Sequence, residues 1–117
     1  MKFVLKIALL VSLTVCEAKE KAVMIGLIGD STVAMQSGWG PAFAERFDLR
    51  TKIVNYAKNG ATLQALSKKL DELVQLKPDY ILIQFGHNDQ KRYDTTVYRD
   101  HLKSYVEHIG KFGGKAV

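Results

Sequence analysis

The sequence predicts an α/β domain in which a parallel sheet carries helices on both faces. Three observations support this. Two apolar runs, Ala22 to Ile28 and Tyr80 to Phe85, and a β-branched stretch, Thr51 to Asn55, have the length of strands. Runs without polar alternation read as strands covered on both faces, as in parallel sheets. The segments between them hold helical patterns long enough to cross over between parallel neighbours, giving the order β-α-β-α-β-α.

The chain has 117 residues, room for one small domain, and its 47% hydrophobic and 25% charged content is that of a globular protein. Met1-Lys2, with Lys6, makes a positive start. Ile7 to Val15 is apolar, and Cys16-Glu17-Ala18 places small residues around a cleavage point. This pattern predicts a secretory signal peptide over residues 1–18 and a mature domain over 19–117. The apolar part is too short to span a bilayer. The expected location is therefore secreted, periplasmic or cell-surface. Leu13-Thr14-Val15-Cys16 distantly resembles a lipoprotein box, which makes lipidation the second reading. Cleavage after Ala18 removes the one cysteine, and with it any disulfide, thiol nucleophile or thiolate ligand. It also removes two lysines and one glutamate, so the charge of +5 drops by one. The remaining lysines are scattered, without interleaved stacking aromatics. They read as a solvated surface and exclude a nucleic-acid footprint.

The first strand runs into Gly29-Asp30-Ser31, a turn sequence. A glycine-rich loop, Ser37-Gly38-Trp39-Gly40-Pro41, opens a short helix. Pro41 suits its first turn, and Trp39, Phe43 and Phe47 recur at i, i+4 on one face. After the second strand, Tyr56 to Thr62 is a loop whose Asn59-Gly60 pair favours a tight turn or positive φ. Thr62 is the expected N-cap of the next helix, with Leu63, Leu66, Leu70, Leu73 and Val74 as its buried stripe. Lys77-Pro78-Asp79 stops it. Thr95 or Thr96 is expected to cap a last helix with the stripe Tyr98, Leu102, Tyr105 and Ile109, and Gly110, Gly113 and Gly114 unwind it. Lys115-Ala116-Val117 reads as the entrance to a fourth strand. About 100 mature residues are marginal for such a layout, so the sequence reads as a fragment of a larger domain.

In a parallel sheet the loops after the three strands share one rim. Ser31 supplies a hydroxyl there, the Ser31 and Gly60 amides supply donors, and the Asn88 carboxamide supplies another. That is the donor set acyl transfer needs around a developing oxyanion. The bland alternatives are turn and capping roles for Asp30, Ser31 and Asn88, and core packing for Trp39, which is otherwise a candidate for the substrate groove. Asp30 and Asp89 read as groups that hold Ser31 and Asn88 in place.

Gly29-Asp-Ser-Thr-Val33, Asn55-Tyr-Ala-Lys-Asn-Gly60 and Phe85-Gly-His-Asn-Asp89 resemble the first three motif blocks of the GDSL/SGNH esterase superfamily. Gly38-Trp39-Gly40 and Ile83-Gln-Phe-Gly-His-Asn-Asp89 are similar to its rhamnogalacturonan acetylesterase branch. The resemblance implies a flavodoxin-like three-layer α/β/α fold, apparently truncated after the third strand-helix unit. It implies a serine esterase that removes acetyl groups from pectic polysaccharide without cofactor or metal. By motif position Ser31 is the nucleophile and an oxyanion N–H, Gly60 a second oxyanion N–H, and Asn88 the side-chain donor, supported by Asp30, His87 and Asp89.

The family's Asp-x-x-His block, which holds the general base and its aspartate, does not occur in these 117 residues. The chain alone is therefore expected to be nearly inactive. His87 neighbours Asn88 by motif position, and His101 and His108 share one face of the last helix. A metal site from His87, Asp89 and Asp94 lacks any recognised ligand spacing. The rival reading is a non-catalytic carbohydrate-binding or surface protein that keeps part of the fold. A phosphate- or nucleotide-binding module is disfavoured because neither Gly-x-x-x-x-Gly-Lys-[Ser/Thr] nor Gly-x-Gly-x-x-Gly is present. The expected partner is an acetylated polysaccharide or oligosaccharide.

Overall fold

The computed structural model of the protein describes residues 21–117, and the leader predicted over 1–18 lies outside the described residues. The elements are β1 (Val23–Gly29), α1 (Gly40–Ala44), β2 (Thr51–Asn55), α2 (Ser67–Gln75), β3 (Tyr80–Gln84), a 3-10 turn (Asp89–Lys91), α3 (Thr95–Lys111) and β4 (Lys115–Ala116). The strands form one sheet in the order β2-β1-β3-β4, and every neighbouring pair is parallel.

This order places the helices. The chain steps from β1 to β2 in one direction, then crosses back over β1 to reach β3 and continues to β4. Right-handed crossovers in opposite directions must lie on opposite faces of the sheet. Side chains follow suit. Ile25 and Leu27 of β1 pack with Val33, Trp39, Phe43, Ile53 and Leu82 on the α1 face. On the other face Ile28 and Ile81 pack with Leu66, Leu70, Leu73, Val74, Tyr105 and Ile109, where α2 and α3 lie. Alternation along β1 also explains Gly26: a Cβ there would meet Leu73 side-chain atoms at 2.9 Å, so α2 sits directly on the strand.

The α2 stripe is as expected, with Leu63, Leu66, Leu70, Leu73 and Val74 all buried. Each such side chain contributes roughly 1.5–3 kcal/mol relative to exposure. The caps differ from the expected ones. Thr62 Oγ1 accepts from the Ala65 N–H at 3.2 Å, which caps a turn ahead of α2, whose regular part starts only at Ser67. Asp94, not Thr95 or Thr96, caps α3, its carboxylate accepting from the Val97 N–H at 2.9 Å. Both threonines fall inside the first turn. An ionised acceptor beside the helix's positive end outcompetes a hydroxyl one residue later. The stripe around Pro41 forms an edge-to-face ladder, Trp39 to Phe43 at 5.5 Å and Phe43 to Phe47 at 5.0 Å. The helix itself is only five residues long.

At the C-terminus of α3, Gly114 N–H donates to Ile109 O at 3.2 Å and Gly113 N–H to Gly110 O at 3.1 Å. These paired bonds of a Schellman stop turn the chain back to the sheet. There Lys115 and Ala116 pair with Tyr80 and Ile81, and Val117 continues the ladder by donating to Ile81 O at 2.9 Å. The expected fourth strand thus begins where its entrance was read.

Candidate active site

Sheet register sets the height of the three loops. Leu27 lies level with Asn55, and Gly29 level with Gln84. Beyond the strands the ladder persists, with Tyr56 N–H donating to Leu27 O at 2.8 Å and Lys58 N–H to Gly29 O at 3.0 Å. Ser31 and Gly60 therefore each stand two residues past a hydrogen-bonded pair. The strand order reverses between β1 and β3, so the loops carrying Ser31 and Asn88 flank the topological switch point. In open α/β sheets that crevice is where ligands bind.

Asp30 builds the Ser31 turn. It is 2% exposed, and its Oδ1 accepts from the Thr32 N–H at 2.9 Å and the Thr32 hydroxyl at 2.7 Å. Its carbonyl accepts from Val33 and Ala34, and its own N–H donates to Gln84 O at 3.3 Å. The next residue is thereby pushed outward. Ser31 is half-buried, and its Oγ makes no hydrogen bond with any described residue. From behind, Ser37 Oγ donates to Ser31 O at 2.9 Å and lies 3.0 Å from Asn59 Oδ1, tying the first loop to the second. The Gly38–Trp39 segment lies on the turn, with Trp39 N–H donating to Thr32 O at 2.8 Å. Trp39 packs on Phe43 and donates its indole N–H to Gln84 at 2.6 Å.

Gly60 has φ +75°, and a Cβ there would meet nothing within 4 Å. Its glycine requirement is conformational, and the residue is exposed. The third loop grips the second through two consecutive side chains. Asn88 Nδ2 donates to Ala61 O at 3.1 Å, and Asp89 Oδ1 accepts from the Leu63 N–H at 3.0 Å. One Nδ2 hydrogen of Asn88 is engaged and the other has no partner among the described residues. Asp89 is wholly buried, and its Oδ2 has no partner among the described residues. Tyr105 lies in the buried α3 stripe as expected, but sequence reasoning missed that its hydroxyl donates to Leu63 O, 42 residues away. Burial pushes its phenol above the usual tyrosine range, and the charges of Asp89 and Asp71 push the same way.

The pattern of the GDSL-like lipase/acylhydrolase family matches residues 27–117, which takes in all three loops. The chain belongs to this family. Among its relatives is rhamnogalacturonan acetylesterase RhgT of Bacillus subtilis (strain 168), 37% identical over 95 residues, covering 68% of this chain and 39% of the relative. Among solved structures, TesA superposes with a TM-score of 0.70 at 23% identity, covering 80% of this chain and 57% of TesA. A lipase/acylhydrolase from Enterococcus faecalis superposes with a TM-score of 0.62 at 25% identity, covering 80% of this chain and 55% of that one. The chain thus spans about two-fifths of the length of the curated relative and little more than half of these structures.

Within this family member, none of the three histidines hydrogen-bonds Ser31. His87 is exposed. His101 stacks edge-on against Tyr93 with ring centres 5.2 Å apart, and His108 lies against Phe112 with Nε2 2.8 Å from Asp71 Oδ1. No three His, Cys, Asp or Glu side chains among the described residues are grouped to hold a metal ion. No described helix is long and apolar enough to cross a membrane. A pocket of about 520 Å3 is lined by Gly86 and His87 of the third loop and by residues up to Tyr98 at the start of α3. A smaller one of about 210 Å3 borders Gly60.

Proposed function

We propose that this chain carries the nucleophile and oxyanion-hole portion of a secreted serine esterase that removes O-acetyl groups from pectic, rhamnogalacturonan-type polysaccharide. The observation that carries the reading is the placement of Ser31, Gly60 and Asn88 on loops leaving three adjacent parallel strands, tied together by the Ser37, Asn88 and Asp89 hydrogen bonds. The substrate class follows the similarity to RhgT.

Ser31 Oγ attacks the acetyl carbonyl carbon and its proton passes to a base. The carbonyl π electrons move onto oxygen, where the N–H groups of Ser31 and Gly60 and the free Nδ2 hydrogen of Asn88 hold the charge. The sugar alkoxide departs with a proton, and water then releases acetate from Ser31. None of the three histidines present hydrogen-bonds Ser31, so in this reading the base is an imidazole outside these 117 residues. The experiment is acetate release from acetylated rhamnogalacturonan oligosaccharide by the protein expressed with any sequence its reading frame adds after Val117. Turnover lost in Ser31→Ala supports the reading, and turnover retained in that variant removes Ser31 as nucleophile.

The unpartnered Ser31 hydroxyl favours a second reading, a glycan-binding protein without hydrolysis. Binding of the same oligosaccharide with no acetate release at long times decides for it.

A further inference from the structure

We propose that Tyr105 is a positioning residue for the oxyanion donors, setting the spacing between the loop of Gly60 and the loop of Asn88. The assignment rests on the serine-esterase reading. The two ends of this one α3 side chain meet different loops. Its ring lies edge-to-face against Phe85 with centres 5.7 Å apart, and Phe85 stands three residues before Asn88. Its hydroxyl donates to the carbonyl of Leu63, three residues after Gly60.

Local structure explains why Leu63 takes a side-chain donor. In a regular helix its carbonyl would accept from the Ser67 N–H, but that N–H donates to Gln64 O at 3.3 Å. Leu63 is wholly buried, so its backbone groups need partners inside the protein. Tyr105 meets the carbonyl, and Asp89 Oδ1 accepts from the N–H at 3.0 Å. One residue is thus held both by α3 and by the neighbour of Asn88. Between Leu63 and Gly60 the chain has little slack. Ala61 and Thr62 are buried, Ala61 N–H donates to Lys58 O at 3.2 Å, and Ala61 O accepts from Asn88.

What the hydroxyl adds to a buried ring is direction. Packed rings tolerate small slides, whereas a hydrogen bond weakens steeply away from its geometry. The hydroxyl therefore fixes Leu63 relative to the ring, and through the ring relative to Phe85. Oxyanion donors are sensitive to such placement, because they act from about 2.7–3.1 Å. A misplacement of about 1 Å can slow a reaction by about 10²-fold.

The test uses the protein expressed with any sequence its reading frame adds after Val117. Tyr105→Phe keeps the ring and deletes the hydroxyl. Ile25→Val, a core truncation on the opposite face of the sheet, is the control. Tyr105→Phe should lower kcat for acetate release about ten-fold with KM unchanged, less than the 10²–10³ lost with a donor itself. In NMR spectra its Gly60 N–H and Asn88 carboxamide signals should move, while Ile25→Val leaves both signals and kcat in place. Phe85→Leu, which removes the ring contact and keeps the hydroxyl, should move the Asn88 signals too. Unmoved Gly60 and Asn88 signals in folded Tyr105→Phe, or an equal loss of kcat in Ile25→Val, overturns the assignment. If Tyr105→Phe does not fold, unmoved Asn88 signals in Phe85→Leu overturn it. Absence of acetate release from the parent protein counts against the esterase reading, whereas the NMR signals decide on Tyr105 without hydrolysis.

Discussion

Asn88 donates a side-chain hydrogen to the carbonyl of Ala61, 27 positions earlier, at 3.1 Å. The carboxamide proposed to hold the oxyanion is therefore fastened to the residue following Gly60, whose amide is proposed as a second donor. The loops that carry the two proposed donors are thus tied to each other. Preorganisation of this kind gives an oxyanion hole its effect, because no dipole need reorient as charge develops.

Asn88→Ala should lower kcat by about 10²–10³ in the esterase-competent protein, the usual effect of losing one oxyanion donor. Because the Ala61 bond is lost as well, unfolding should also become easier by about 1 kcal/mol. Steady-state kinetics beside urea denaturation separates the two. Unchanged kcat in a folded variant takes Asn88 out of the mechanism.

Asp89→Ala should destabilise the fold by about 1–3 kcal/mol, since it strands the buried Leu63 N–H. Asp89→Asn retains an oxygen for that bond and should lose less. Equal denaturation midpoints for the two variants would show that the Leu63 bond does not matter.

Tyr105→Phe probes pH dependence. In the folded protein the Tyr105 phenol is raised above its ordinary value near 10, first by burial and then by the Asp89 and Asp71 charges. The folded state thus favours the protonated phenol. That contribution is fully present below about pH 10 and is lost as pH climbs towards the folded value. Wild type should lose stability more steeply than Tyr105→Phe above about pH 10, as read by thermal melts from neutral to alkaline pH. Parallel slopes would refute this.

Gly38→Ala should prevent the Ser31 turn from forming as it stands. A Cβ at this position would lie 2.4 Å from both Thr32 O and the Val33 carbonyl carbon, backbone atoms that cannot swing aside. The expected outcome is a melting temperature lowered by several degrees, about 4–8 °C for each kcal/mol in a domain this size. Gly60→Ala meets no atom, and its positive φ should make it milder, about 1–2 kcal/mol. A reversed order would mean that backbone conformation outweighs contact at this rim.

The sequence by itself determined the strands, the α2 stripe and the three polar loops. Burial on both faces demands local apolar runs, and a helix that covers a sheet must repeat its leucines at helical spacing. The positions of Ser31, Gly60 and Asn88 on the loops after β1, β2 and β3 were legible for the same reason, since each stands a short distance after a strand. Only the tertiary structure decided what grips them. Asp89 finds Leu63, Tyr105 reaches the same residue from α3, and Trp39 reaches Gln84 across 45 positions. It also decided that Asp94 caps α3 in place of its threonine neighbours, and that α1 lies on the opposite face from α2 and α3. A side chain's local pattern states that it must be buried or bonded, whereas its partner depends on which segments the crossovers carry past one another.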